Sequence, residues 1–279
     1  MLMLKNLTLE SLMLRENGLD KVKEFFPSLR VLNLISVGGL IGPKIHLLHL
    51  KTCQWCIFDD QPSLTIQTPM LMDLELKFGE IQTLILKAPL LSALYLSMTK
   101  ASEVFEVEEF NNLKSLHIES RDLCNLIKLF PECNIVEKLV LDSPNWVDLR
   151  PTVKENVSFE KLMSKFPNVS DLSLRPGAWV KLEKSFLGGG LEAVNGWKTL
   201  KQLMAHLVVY DVETTRHFIS SILERFPTLS EMKMLVHRGV ASDVRSHLIS
   251  SCMADCPRIK WRWGKWSLGQ NDTWVSDGI

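Results

Sequence analysis

Apolar residues recur along this chain in one short pattern, Leu-x-x-Leu-x-Leu, with another apolar residue replacing leucine in some copies. Successive side chains of a strand point to opposite faces, so the last two apolar residues of each copy enter a core and the residue between them points outward. Because so short a unit cannot bury its apolar face alone, the pattern predicts a solenoid of stacked leucine-rich repeats. Ten copies follow the pattern, at residues 9–14, 29–34, 45–50, 71–76, 91–96, 113–118, 136–141, 169–174, 200–205 and 229–234.

Five segments between the copies have apolar residues at the three- and four-residue spacing of an amphipathic helix. A proline follows each of them, and proline disfavours helix at the residue before it, so the helix stops and the chain turns into the next strand. The predicted helices lie at 19–26, 123–130, 159–166, 218–226 and 244–252. Between residues 71 and 113 the return segments are too short for a long helix, and residues 81–86 are interpreted as an insertion that follows the same pattern.

The predicted fold class is therefore α/β, a leucine-rich-repeat solenoid or horseshoe with a concave parallel sheet and helices on its convex side. Residues 1–257 form the solenoid, and residues 258–279 form a tryptophan-rich cap of the same domain. Four of the eight tryptophans lie in this tail, interleaved with basic residues. Such a segment is able to stack on single-stranded nucleic acid. However, Ile259, Trp261 and Trp263 alternate with the charges as in a last strand with one apolar face, which favours a cap over a nucleic-acid site.

Composition and charge indicate one elongated domain without a strong electrostatic partner. The chain has 279 residues, 46% of them hydrophobic, and a formal net charge of zero. A neutral chain has no overall attraction to nucleic acid or to an anionic membrane surface, and neither is predicted as a partner. Lys5, Asn6 and Glu10 interrupt the apolar opening, so it does not resemble a signal peptide. The predicted location is intracellular, in the cytoplasm or nucleus. The sequons at Asn156 and elsewhere are therefore not interpreted as glycosylation sites.

No constellation for catalysis or metal binding is found. The chain lacks a phosphate-binding loop, a dinucleotide fingerprint, a zinc-protease helix and a nucleophile elbow, so no enzyme, catalytic residue or cofactor is predicted. Cys53 and Cys56 have the spacing of a zinc or redox pair, but no second ligand pair accompanies them, and Cys53 fits the position of a buried repeat cysteine. No metal site is predicted. The glycines at 188–190 lack the lysine of a phosphate cradle and are interpreted as a loop instead of an anion site.

Two pairs of segments resemble plant F-box/LRR-repeat proteins. The first pair is FPSLRVLNLISVGGL at 26–40 with PKIHLLHLKTC at 43–53, and the second is VRSHLISSC at 244–252 with PRIKWRWG at 257–264. In that family an F-box docks on a Skp1-type adaptor of a cullin ubiquitin ligase, and the repeats hold the substrate. This chain begins inside the repeats and contains no Leu-Pro-led F-box. We expect the Skp1-type adaptor as a partner only if an F-box precedes the chain.

A protein substrate on the concave face is the partner that the repeats predict. Its contacts should come from outward strand positions, where charge gives orientation and an aromatic residue gives affinity. The candidate residues are Asp73, Glu75, Tyr95, Ser115, His117, Lys138, Asp171 and Ser173. His49 is also predicted to point outward.

Three functions follow from these observations. The chain is interpreted first as a protein-recognition module, the substrate-binding repeats of an SCF-type ubiquitin ligase. A second interpretation is an interaction scaffold without ubiquitin chemistry, and a third is a small-molecule receptor or co-receptor.

Overall fold

The structure is a computed structural model that describes residues 4–14, 18–57, 60–107, 110–144, 157–187 and 197–275. The sequon at Asn156, the glycines at 188–190 and the final residues of the predicted cap, 276–279, lie outside these ranges. The chain divides into two compact units, Met1–Val136 and Glu137–Ile279.

The first unit alternates strands with short return segments. In chain order its described elements are β1 (Asn6–Glu10), α1 (Gly18–Phe25), β2 (Val31–Ile35), β3 (Lys44–Ile45), β4 (Thr52–Cys56), β5 (Gln61–Gln67), β6 (Asp73–Phe78), β7 (Ile81–Lys87), β8 (Ala93–Met98), β9 (Val104–Val107), β10 (Ser115–Ser120) and α2 (Leu123–Leu129). Strands β1, β2, β4, β6, β8 and β10 form a parallel sheet in that order.

The register of this sheet stacks the repeats leucine on leucine. Leu94 of β8 pairs with Leu74 of β6 and with Leu116 of β10, and all three side chains are buried. Each inward row fills the core between successive strands, and each outward row faces solvent, as the period of a strand requires. The predicted fold class, an α/β leucine-rich-repeat solenoid with a parallel sheet, is confirmed.

In the middle of the first unit the return segments are strands. Strands β3, β5, β7 and β9 form a second parallel sheet. Leu64 and Ile66 of β5, and Leu84 and Leu86 of β7, alternate with more exposed residues and are buried. Residues 81–86, interpreted from the sequence as an insertion, are therefore a return strand. Helices back the main sheet only outside this stretch among the described residues.

The second unit has longer returns. Its described elements are β11 (Lys138–Asp142), α3 (Phe159–Lys165), β12 (Asp171–Leu174), α4 (Pro176–Leu187), β13 (Gln202–Leu207), α5 (Val212–Arg225), β14 (Glu231–His237), α6 (Ser242–Asp255), β15 (Lys260–Trp266) and β16 (Thr273–Trp274). Strands β11 to β15 are parallel, and β16 pairs with β15 in the antiparallel sense.

Helices occur at all five predicted positions. Phe130, Phe166 and Phe226 follow α2, α3 and α5, are fully buried, and each precedes the proline that ends the helical segment. Helix α5 begins at a side-chain cap, since the Thr214 amide donates to Asp211 Oδ2 at 2.7 Å. Helix α4 was not predicted.

The tryptophan-rich tail is the last part of the second unit's sheet. Trp263 and Trp266 of β15 are buried, and Trp266 Nε1 donates to the Leu207 carbonyl at 3.0 Å. The guanidinium of Arg262 lies 4.7 Å from the ring of Trp274. Strand β15 thus has the apolar face that the sequence predicts, and two of its indoles lie in the core. That this tail caps the array stays a prediction.

Two of the ten repeat copies lie in a different frame from the predicted one. The first inward pair is Leu7 and Leu9 of β1, which align with Leu32 and Leu34 of β2, whereas Leu12 is exposed. Likewise, the residues that align with Leu32 and Leu34 on the next strand are Cys53 and Trp55 of β4, and not the leucines of the copy predicted at 45–50. The predicted frame at 9–14 is wrong because the leucine pattern overlaps itself there, and the frame at 45–50 is wrong because the inward positions of β4 are not leucines.

No helix in the described ranges is long and apolar enough to cross a bilayer.

Candidate functional site

The predicted contact residues lie on two shallow depressions, one on the outward side of each unit's main sheet. The first depression, about 270 Å³ in volume, includes Asp73, Glu75, Tyr95, Ser115 and His117. Sequence reasoning missed the polar lining residues Asn33, Thr52 and Gln54. Thr52 and Gln54 lie on β4, next to β6, and align with Asp73 and Glu75. Asn33 lies on β2, one strand further, and aligns with Gln54. The correct frame of β4 would therefore have identified Thr52 and Gln54.

The second depression, about 250 Å³ in volume, includes Lys138, Asp171 and Ser173. Gln202, Met204 and Lys233 also line it and were not predicted. The eight predicted residues therefore fall into a group of five on the first unit and a group of three on the second.

Tyr95 is the centre of the first depression. Its ring meets the His117 ring edge to face, with centroids 4.2 Å apart, and Lys77 Nζ lies 4.8 Å from the centroid of the Tyr95 ring. The phenol hydroxyl donates a hydrogen bond to Glu119 Oε2 on β10. Burial, followed by the hydrogen bond to Glu119, raises the pKa of Tyr95 well above its ordinary value, so the phenol stays neutral. A half-buried aromatic ring held on three sides presents a fixed apolar surface to a partner.

The carboxylates of the first depression differ in their partners. Glu75 Oε1 lies 2.6 Å from Lys77 Nζ, and this hydrogen bond is the main reason that the pKa of Lys77 is raised. Asp73 is exposed on the neighbouring outward position of the same strand. Asp73, Glu75 and Glu119 together outnumber Lys77, so this part of the face has a negative charge.

Charges of both signs alternate around the second depression. Lys233 Nζ lies 3.5 Å from Glu231 Oε1 and donates to Gln202 Oε1 at 3.4 Å. The hydroxyl of Ser170 donates to Asp171 Oδ2 at 2.5 Å. These contacts orient the side chains, and the mixed charge gives the second depression no strong preference for either sign.

A third depression of about 230 Å³ lies at the carboxyl ends of the second unit's strands and was not predicted. His206 is buried there, with Nε2 3.0 Å from Arg175 Nη1 and 3.2 Å from Asp272 Oδ2. Burial and the nearby Arg175 lower the pKa of His206, which favours its neutral form. His49 was predicted on an outward strand position; it is exposed but lies in a turn outside any strand.

The two cysteines with metal-like spacing are both free and buried. Burial raises the pKa of the Cys53 thiol to about 12. Metal binding and thiol exchange need the thiolate, which this environment disfavours. Within the described ranges no three His, Cys, Asp or Glu side chains are placed to hold a metal ion.

Comparison with known proteins adds a relative in sequence to this geometry. An F-box/LRR-repeat protein of Arabidopsis thaliana is 37% identical over 276 residues, which cover 98% of this chain. The chain is a homologue of plant F-box/LRR-repeat proteins. The resemblance predicted from the sequence is thereby confirmed. The match spans 61% of the Arabidopsis protein's own length.

No family model matches the chain. No solved structure matches it either. The repeat architecture is therefore supported by the register of the chain's strands and by its similarity to the Arabidopsis F-box/LRR-repeat protein.

Proposed function

We propose that this F-box/LRR-repeat homologue is the substrate-recognition region of an SCF-type ubiquitin ligase, with the protein substrate held on the outward sheet faces. The observation that carries the proposal is the Tyr95 cluster, an aromatic ring fixed by His117, Lys77 and Glu119 at the centre of a shallow, solvent-facing depression. Shallow surfaces with a central aromatic anchor and a charged rim are typical of protein interfaces.

The proposal makes the chain a binding protein and not an enzyme. Two depressions of 270 Å³ and 250 Å³ lie open on the sheet faces, where a reacting group would stay in contact with water. Catalytic sites usually exclude water around the reacting atoms. In the first depression Glu75 is paired with Lys77, whereas Asp73 is exposed at the rim.

The ligase role rests on the Arabidopsis relative, whose name combines an F-box with the repeats. In this proposal an F-box in the native gene product binds a Skp1-type adaptor, the repeats bind the substrate, and the complex works in the cytoplasm or nucleus.

The test is to compare proteins bound by the native gene product and by two variants expressed in plant cells. The variant Asp73→Lys/Ser115→Arg reverses the charge and fills the rim of the first depression. The control variant Glu106→Lys makes the same acid-to-lysine change on β9 of the second sheet, at an exposed position. Adaptor and substrate are measured separately by quantitative mass spectrometry.

We expect the Skp1-type adaptor with all three proteins, and a set of substrates that is lost from the double variant and kept by Glu106→Lys. Those substrates should accumulate in cells lacking the gene product. Substrates that bind all three proteins equally would place recognition elsewhere. Substrates without the adaptor would support the scaffold alternative.

A further inference from the structure

The first unit contains an apolar cavity in the layer of return segments, on the opposite side of the main sheet from the predicted recognition surface. Its volume is about 390 Å³. The buried side chains of Val22, Leu32, Ile45 and Leu47 form its back, and they come from α1, from β2 and from β3 with the residues after it.

The cavity exists because two kinds of return segment meet at this point. Helix α1 backs β2, whereas β3 and β5 belong to the second sheet. A helix with its side chains is about 10 Å across, and neighbouring strands are about 4.8 Å apart. A helix therefore cannot continue the spacing of the second sheet, and the step from helix to strand leaves a space between α1 and β3.

The mouth of the cavity is cationic. Lys23 of α1 and Lys44 of β3 line it, together with His46 and the polar Thr65 and Gln67. Both lysines are exposed, so their ammonium groups lie in water while their aliphatic stems follow the apolar wall. None of the described lining residues is an aspartate or a glutamate. As far as its described lining residues go, the cavity wall thus offers positive charge and no carboxylate.

We propose that this cavity binds a small anionic amphiphile, a molecule with an apolar body and a single carboxylate-type head group. The apolar body occupies the space against Leu32 and Leu47, and the head group lies between Lys23 and Lys44. The volume is within the range of small-molecule sites, which are mostly apolar with a few polar groups that fix orientation. This site is separate from the proposed protein surface and does not depend on it.

Strand β2 connects the cavity with the first depression. Leu32 lines the cavity, and its neighbour Asn33 lines the depression on the other face of the same strand. A bound amphiphile therefore contacts the strand that forms one wall of the proposed recognition surface.

Binding is tested on the purified chain by calorimetric titration with three probes that share an eight-carbon tail. They are octanoate, octanol and octyltrimethylammonium, each kept below its micelle-forming or solubility limit. We expect one saturable octanoate site, octanol binding weaker by roughly fivefold or more, and no octyltrimethylammonium binding, because each of two exposed charge interactions contributes a factor of about two to three.

Variants separate the head-group site from the apolar space. Lys23→Gln/Lys44→Gln should weaken octanoate to the level of octanol and leave octanol unchanged. Lys21→Gln/Lys51→Gln removes the same charge from exposed positions that do not line the cavity, and it should change neither. Val22→Trp fills the apolar space and should abolish binding of both probes.

The proposal is overturned if octanoate shows no saturable site, or if Lys23→Gln/Lys44→Gln binds octanoate as tightly as the wild-type chain. Retention of octanoate binding by a folded Val22→Trp variant also overturns it. The lysine variants alter exposed side chains, so the head-group test stands even if Val22→Trp does not fold.

Discussion

The hydroxyl of Tyr95 on β8 donates a hydrogen bond to Glu119 on the adjacent strand β10, two residues beyond the histidine that packs against the same ring. The Tyr95 side chain therefore connects two adjacent strands on the outward face of the sheet. Because the bond links neighbouring repeats, it fixes the position of the aromatic ring, which would lower the entropic cost of binding for the proposed partner.

This bond predicts how the two tyrosines of the chain titrate. Burial also raises the pKa of Tyr210, but the increase at Tyr95 is larger. In absorbance at 295 nm, we expect Tyr210 to ionise first and Tyr95 to ionise later, and Tyr95→Phe should remove only the later step.

The same shift affects stability at alkaline pH. The folded pKa of Tyr95 is raised, so its contribution to stability is fully present below the ordinary pKa of about 10 and is lost as pH rises further. The fall in melting temperature between pH 9 and pH 11, roughly one unit on each side of that ordinary pKa, should be shallower in Tyr95→Phe than in wild type. Tyr210→Phe is the control and should have the smaller effect. Equal effects would contradict the assignment.

Glu183 on α4 predicts a second pH dependence. It is buried, accepts a hydrogen bond from Thr215 Oγ1 at 2.7 Å, and burial raises its pKa to about 7. A raised carboxyl pKa favours the protonated form in the folded state, so stability is full below the ordinary pKa and decreases as pH rises through about 7. Glu183→Gln should therefore stabilise the protein at pH 8 by up to about 3 kcal/mol and have little effect near pH 4.

The measurement for Glu183 is the melting temperature by calorimetry from pH 4 to pH 8, a range that spans the ordinary and raised pKa values. Glu224→Gln removes an exposed carboxylate from α5 and serves as the control. A Glu183→Gln curve parallel to wild type at all pH values would rule out ionisation of Glu183 as the cause.

Gly177 predicts a steric effect at the start of α4. A Cβ atom added there would lie 1.8 Å from the Ser143 carbonyl oxygen, on the backbone that follows β11. Gly177→Ala must displace one of the two elements, and overpacking of this kind costs about 2–3 kcal/mol. Gly269→Ala has open space around the new methyl group but a φ of +70°, so it should cost only about 1 kcal/mol. Urea unfolding of both variants compares the two costs, and equal midpoints would contradict the close approach.

The predicted cap is tested at Trp263. Its side chain is 7% exposed and stacks on Trp261, with ring centroids 5.5 Å apart. Trp263→Ala should cost about 3–4 kcal/mol in urea unfolding, because it leaves a large cavity at the end of the core. Trp274→Ala removes a half-buried ring that contacts Arg262 and should cost less than about 1 kcal/mol. An unchanged midpoint for Trp263→Ala would refute the cap.

Much of this fold could be predicted from the chain because its inward positions are leucines at the period of a strand. Leu94 and Leu96 lie where the pattern places them. The first frame failed because Leu12 and Leu14 continue the leucine spacing beyond β1, and the pattern does not distinguish overlapping frames. At β4, Cys53 and Trp55 occupy positions that are leucines in the neighbouring strands, so the frame chosen from leucines alone was shifted.

The second sheet and helix α4 were not predicted, although the sequence contains a signal for each. Residues 61–67 alternate with the period of a strand, but strands in return segments were not expected, so the second sheet was missed. Pro176 and Gly177 suggest a turn, yet proline is compatible with the first position of a helix, and Gly177 is needed for close packing on Ser143.

The candidate contact residues lie on outward positions because inward and outward side chains alternate along a strand, and their contact with a partner stays a prediction. The hydrogen bond from Tyr95 to Glu119 and the network around His206 were not predictable in that way. Asp272, which meets His206, is separated from it by 66 residues, and only the return of the tail towards the sheet brings them together.

The antiparallel pairing of β16 with β15 has a consequence for the protein at high concentration. An open strand edge displays unpaired amide and carbonyl groups that template assembly with other chains. Here Thr273 and Trp274 occupy part of the outer side of β15, and Gly264 leaves room for them, since a Cβ atom there would lie 2.6 Å from the Thr273 carbonyl oxygen. A glycine without a side chain thus lets the chain's own tail cover part of this strand edge, and the covered part is closed to pairing with other chains.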